Sequence, residues 1–184
     1  ARGSGGLEAP QEQQGVWGRQ PPSKNNFIIF LAQTHSWVYD QTLTEKLAQV
    51  LIRLGTQHCF VIHGKDGLDE ISIAAATAVG ELRGGEISSY TVSPADFGIE
   101  QYANYDELKI DSAEASLTLM RQALTYENKA AGDIVALNAG AAIFAANLED
   151  SLLNGVKRAQ EVLISGAALA KLDELVHCSN SMSE

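Results

Sequence analysis

Positive charge is scarce in this sequence: 13 Lys and Arg stand against 23 Asp and Glu, for a formal net charge of -10 over 184 residues. With no cluster of basic residues to offset that sign, the mean field repels a phosphate backbone, which argues against nucleic acid as a partner. Cysteine is reduced to two, Cys59 in an apolar run and Cys178 near the end, which provide neither a disulfide framework nor a metal-ligand spacing. A reducing, cytoplasmic setting fits that usage. Long hydrophobic runs are missing as well. The longest candidate, Ile134 to Ala146, is interrupted by Asn138 and Gly140 and falls short of the roughly 20 apolar residues that a bilayer span needs. It is expected as a buried helix, with no membrane role. Proline is rare, and three of its four copies (Pro10, Pro21, Pro22) lie in the first 26 residues.

Those first residues, Ala1 to Asn26, also hold Gly3, Gly5, Gly6, Gly15 and Gly18 and many Gln, without hydrophobic periodicity. The composition predicts a disordered or foreign tail. Gly3-Ser4-Gly5-Gly6 has no strand before it and no helix after it, so it reads as linker and not as a phosphate loop. Phe27 to Leu31 is a short apolar run that periodicity alone does not assign to a strand.

From there the chain reads as an α/β layer. Leu43, Leu47, Val50, Leu51 and Leu54 recur at helical spacing, with Asp40 or Thr42 as N-cap and Gly55 just past the end. His58 to Ile62 follows as a buried strand closed by His63-Gly64. Ile71 to Leu82 and Glu86 to Val92 are expected as two strands hinged at Arg83-Gly84-Gly85. After Ser93 to Gly98 and a polar stretch to Lys109, the chain turns helical. Asp111 with Glu114 suggests a cap for a helix to about Tyr126, a helix rich in Ala and Gly runs from about Gly132 to Asn147, and Asp150 or Ser151 caps another carrying Leu152, Val156, Ala159, Val162 and Leu163. Small residues on several faces of the middle helix predict close approach of its neighbours.

The densest polar signal is His63-Gly64-Lys65-Asp66-Gly67-Leu68-Asp69-Glu70, placed directly after the buried strand, where α/β folds put their ligands. Asp66, Asp69 and Glu70 offer hard oxygen donors of the kind Mg²⁺ prefers, and the glycines allow a sharp turn. Equally, Lys65-Asp66-Gly67 reads as a solvated turn and Asp69-Glu70 as a cap. Adjacent carboxylates in an extended strand point to opposite faces, so the pair reaches one metal only if the backbone turns there. His63 has no Ser or Cys nucleophile beside it and reads as a hydrogen-bonded structural residue. Asn138, within the small-residue helix, is expected to hydrogen-bond a neighbouring loop.

The string Val61 to Ser72 resembles the segment after a central strand in the anthranilate phosphoribosyltransferase family. The similarity continues in family order through Gly85-Glu86-Ile87, Tyr90 to Gly98, Asp133 to Ala142, Gly155 to Ala159 and Ser165 to Ala168, and covers roughly Val38 to Val176. The resemblance implies the C-terminal part of a nucleoside phosphorylase/phosphoribosyltransferase-type α/β domain, an incomplete sheet flanked by helices. The partial catalytic domain would be residues 38–178, preceded by residues 1–26 and 27–37 that do not match and followed by a tail at 179–184. It also implies transfer of phosphoribose from phosphoribosyl pyrophosphate to anthranilate in tryptophan biosynthesis, with Mg²⁺ as cofactor, and Asp69 and Glu70 match the family's metal-binding acidic pair. The resemblance further implies that an intact member is a homodimer, joined through a helical domain.

That helical domain, the Gly-Thr-Gly-Gly-Asp core of the family's pyrophosphate loop and its anthranilate-holding Arg find no match in this sequence. The chain alone is therefore expected to be inactive and prone to associate through apolar surface. A binding module of the same lineage is the competing reading, against which the acidic charge argues.

Overall fold

The computed structural model describes residues 42–182; the expectations for residues 1–26 and 27–37 lie outside the described residues. Helix α1 (Thr42–Arg53) buries Ala48 and Leu51, one turn apart on a single face. Gly55, at φ 84°, supplies the left-handed residue that ends it.

Three strands follow, β1 (His58–Gly64), β2 (Thr77–Arg83) and β3 (Glu86–Val92), in an antiparallel sheet of order β1-β2-β3. Arg83 pairs with Glu86 across Gly84-Gly85, whose φ values of 59° and 90° are those of a primed two-residue hairpin turn. Both faces of the sheet are covered. Cys59, Val61, Leu82 and Ile87 pack with Ala48 and Leu51 of α1. Phe60, Ile62, Val79 and Val92 pack on the other side with Leu137, Phe144 and Val156. Burial on both faces explains why β1 is a continuous apolar run. In β3, Ile87 serves one face while Tyr90 and Val92 serve the other, so its pattern in sequence is irregular.

The second strand begins at Thr77, not at Ile71. Residues 71–76 form no strand because Ser72 turns its polar groups inward: its Oγ accepts from the backbone N–H of Ala74 (2.9 Å) and Ala75 (2.8 Å), and Thr77 Oγ1 accepts from Ser72 N (3.0 Å). Such local side-chain bonds compete with a ladder.

The second layer is helical: α2 (Ala113–Leu124), α3 (Lys129–Ala145), α4 (Leu152–Ile164) and α5 (Ala167–Ser181). The N-cap of α2 is Ser112 rather than Asp111, its Oγ accepting from Ala115 N at 3.1 Å, and Ser151 rather than Asp150 caps α4. Asn128 caps α3, one turn ahead of the expected start. The predicted close approach falls where α3 crosses α4: a Cβ on Gly155 would stand 2.3 Å from the Gly140 carbonyl oxygen. Helix α5, by contrast, buries no residue, and Leu175 and Val176 are exposed on it. No helix among the described residues is long and apolar enough to cross a membrane.

Candidate metal-binding loop

β1 ends at Gly64 and β2 starts at Thr77, so residues 65–76 form a loop at the carboxyl end of a strand buried on both faces. Its first turn is tight. Gly64 N donates to the Leu68 carbonyl (2.8 Å), Gly67 N donates to the Gly64 carbonyl (2.9 Å), and Gly67 takes φ 92°. A Cβ on Gly64 would stand 2.7 Å from Asp66 Oδ1 and 3.0 Å from the Leu68 carbonyl oxygen, so any larger residue there must displace that carboxylate.

Asp66 closes the turn. Its Oδ2 accepts from the Ser72 hydroxyl (2.7 Å) and from Tyr105, and its Oδ1 accepts from Leu68 N (3.3 Å). Burial alone would raise its carboxyl, but the hydrogen bonds from Tyr105 and Ser72 outweigh burial and hold it below the ordinary carboxylate range. Burial, and after it the hydrogen bond to Asp66, push the Tyr105 phenol up to about 12, against a smaller lowering by Ser72. Asp66 is thus a staple of the loop, with its oxygens already engaged.

The chain then bends at Asp69 and Glu70, which meets the condition that adjacent carboxylates impose. Asp69 is half-buried and Glu70 reaches the surface. Even so, desolvation pushes the Glu70 carboxyl above its ordinary range, with the Asp69 charge adding to it. Two carboxylates close enough to repel, with hard oxygen donors, fit a divalent cation by the chemistry of the donor set. Among the described residues, no group of three or more His, Cys, Asp and Glu could hold a metal, so a cation there would draw its remaining ligands from water or phosphate oxygens.

Beyond the pair, the chain is clamped from two sides. Asn138 of α3 accepts from Ile71 N (2.9 Å) and donates to the Ile71 carbonyl (3.2 Å), the loop contact expected of it from the sequence. The stretch after the short helical turn Pro94–Phe97 lies over the other side, where Gln101 donates to the Ala74 carbonyl (2.8 Å) and Tyr102 N donates to the Ile73 carbonyl (2.9 Å). Tyr105, which sequence reasoning left in an unassigned polar stretch, is the residue it missed; the one available signal was an aromatic residue amid polar neighbours. His63 is half-buried on β1 opposite Ala78. Cavities also lie away from this loop. A groove of about 310 Å³ between α2 and α3 is lined by Leu119, Met120 and Ile134, and a cleft of about 570 Å³ at the opposite end of β1 is lined by His58, Arg83 and Asn147.

A three-stranded antiparallel sheet covered by helices on both faces, with a carboxylate-bearing loop at the end of its buried strand, defines the class: an α/β domain. The family follows from sequence comparison. The glycosyl transferase family, a/b domain, matches residues 35–169, and the chain belongs to that family. It is 50% identical over 146 residues to an anthranilate phosphoribosyltransferase of Methylococcus capsulatus, covering 79% of this chain and 42% of the relative. The crystal structure of anthranilate phosphoribosyltransferase from Thermus thermophilus aligns with a TM-score of 0.67 at 33% identity, over 76% of this chain and 40% of that one. A Saccharomyces cerevisiae enzyme of the same name, in complex with PRPP and Mg, shares the fold with a TM-score of 0.62 at 23% identity, over 78% of this chain and 41% of that one. The chain thus spans about two fifths of the length of these relatives.

Proposed function

We propose that residues 38–178 are the cation-binding part of an anthranilate phosphoribosyltransferase, in which Asp69 and Glu70 hold Mg²⁺ against phosphoribosyl pyrophosphate. The observation that carries this reading is the bent, hydrogen-bonded loop at the end of β1, where desolvation, with the charge of the neighbouring Asp69 adding to it, raises the Glu70 carboxyl, in a segment half identical to an enzyme of that name. In the reaction the bond from C1 of the ribose to pyrophosphate breaks, a bond from C1 to the anthranilate nitrogen forms, and the amine loses a proton. Mg²⁺ bound there would neutralise the negative charge that grows on the leaving group. Asp69 and Glu70 supply the charge that holds the cation. Asp66, Ser72 and Tyr105 keep the turn beneath them closed, so that charge is presented without a reorganisation of the loop. The remaining substrate contacts, and a homodimer, belong to the further length that the relatives have. A reducing cytoplasm suits the two free thiols, Cys59 buried and Cys178 exposed.

The test is anthranilate consumption, followed as loss of its fluorescence, with phosphoribosyl pyrophosphate and Mg²⁺ and with the chain supplemented by the preceding region of a full-length relative. Turnover that disappears with Asp69→Ala supports the reading. Turnover that is indifferent to Asp69→Ala and to Mg²⁺ overturns it.

A further inference from the structure

We infer that Asn138 is a positioning residue for the Asp69–Glu70 pair, acting through the backbone of Ile71; this rests on the reading of that pair as a cation site. The β1–β2 ladder ends at Gly64 opposite Thr77, so the loop beyond it has no neighbouring strand to define its direction. Asn138 supplies the missing partner from α3. Its side-chain amide is used as a peptide would be, with Oδ1 accepting from Ile71 N at 2.9 Å and Nδ2 donating to the Ile71 carbonyl at 3.2 Å. The orientation of the amide is determined, because Nδ2 also donates to the Ile134 carbonyl at 2.9 Å, and a flipped amide would set its oxygen against two carbonyls and its nitrogen against an N–H.

The N–H of Ile71 belongs to the peptide plane that also carries the Glu70 carbonyl. Fixing it fixes the Glu70 ψ angle, while the bond to the Ile71 carbonyl fixes the next plane. The Ile71 side chain is buried to 2% exposure, so the plane cannot turn without withdrawing that side chain from the core. Asn138 therefore sets the direction in which the Glu70 carboxylate leaves the backbone, and with it the spacing of the pair. This is the role of an outer residue that orients a metal ligand, whose loss weakens metal affinity by about 10- to 100-fold.

The experiment is Mn²⁺ binding to this chain, read from the free-ion electron paramagnetic resonance signal, for the unaltered chain, Asp69→Ala, Asn138→Leu and Ser151→Ala. Ser151→Ala removes the N-cap of α4, which costs helix stability away from the loop. The expected result is a site that Asp69→Ala abolishes, that Asn138→Leu weakens about tenfold or more, and that Ser151→Ala leaves unchanged. If Asn138→Leu fails to fold, Asn138→Asp replaces it. By charge alone an added carboxylate would tighten cation binding, whereas losing the donor to Ile71 would loosen it, so weaker binding supports the inference and tighter binding overturns it. A site abolished by Asp69→Ala but untouched by Asn138→Leu overturns the role of Asn138 and leaves the reading of the pair standing. No Mn²⁺ site in the unaltered chain overturns that reading itself, and the inference with it.

Discussion

At the crossing of α3 and α4 the chain is held by a lack of side chains, whereas the loop between β1 and β2 is held by a surplus of polar ones. Gly140 and Gly155 let the two helix backbones touch, leaving no space for even one added carbon. In the loop, Asp66, Ser72, Thr77, Tyr105 and Asn138 pin a backbone that belongs to no ladder. The crossing has one way to be right and is a foundation. The loop is a set of separable bonds, each of which fixes one peptide or one carboxylate, and that suits a region that must present two like charges in a set direction.

The contrast breaks most sharply at the crossing. Gly155→Ala should destabilise the chain by about 3 kcal/mol, because the new Cβ meets backbone that cannot swing aside. Urea unfolding measures this, and a loss below about 1 kcal/mol would mean that the helices separate freely. In the loop, Ser72→Ala removes the acceptor for two backbone N–H groups from a fully buried site and should cost about 2 kcal/mol in the same assay.

Acid sharpens the comparison. The folded-state pKa of Asp66 is depressed, so its contribution is present above the ordinary value of 3.8 and is lost as pH falls through the folded value. Tyr105→Phe removes the largest of the opposing hydrogen bonds, and the acid limb of stability against pH should flatten. An unchanged limb would remove Asp66 from the account. Glu70 has the opposite sign. Its pKa is raised, so its contribution is present below the ordinary value of 4.5 and is lost as pH rises through the folded value. Glu70→Gln should therefore raise the melting temperature slightly at neutral pH without added cation, and a lowered one would contradict the account of a desolvated carboxylate beside the Asp69 charge. The smallest effect is expected on α5, where Leu175→Lys should change stability by no more than about 0.5 kcal/mol while reducing self-association in sedimentation.

The parts of this architecture that repeat could be read from the sequence. The 3.6-residue spacing of Leu47 and Leu51 marked α1, the apolar run marked β1, Gly84-Gly85 marked the hairpin, and the small residues of α3 announced its close packing. The loop of residues 71–76 was hidden because Ile71 and Ile73 are as apolar as strand residues; they are buried by hydrogen bonds that Ser72 and Thr77 make locally, which leave no periodic trace. Asn138 was legible in kind, as a polar residue on a helix of small ones, but its partner 67 residues away was not. Tyr105 and Asp66 are 39 residues apart and meet only through the tertiary fold.

The measurement that bears most directly on the loop is a Mg²⁺ titration followed by backbone amide shifts. The account predicts saturable shifts confined to Gly67 through Ile71, absent in Asp69→Ala. Shifts scattered over the acidic surface, or the same local shifts in Asp69→Ala, would contradict it.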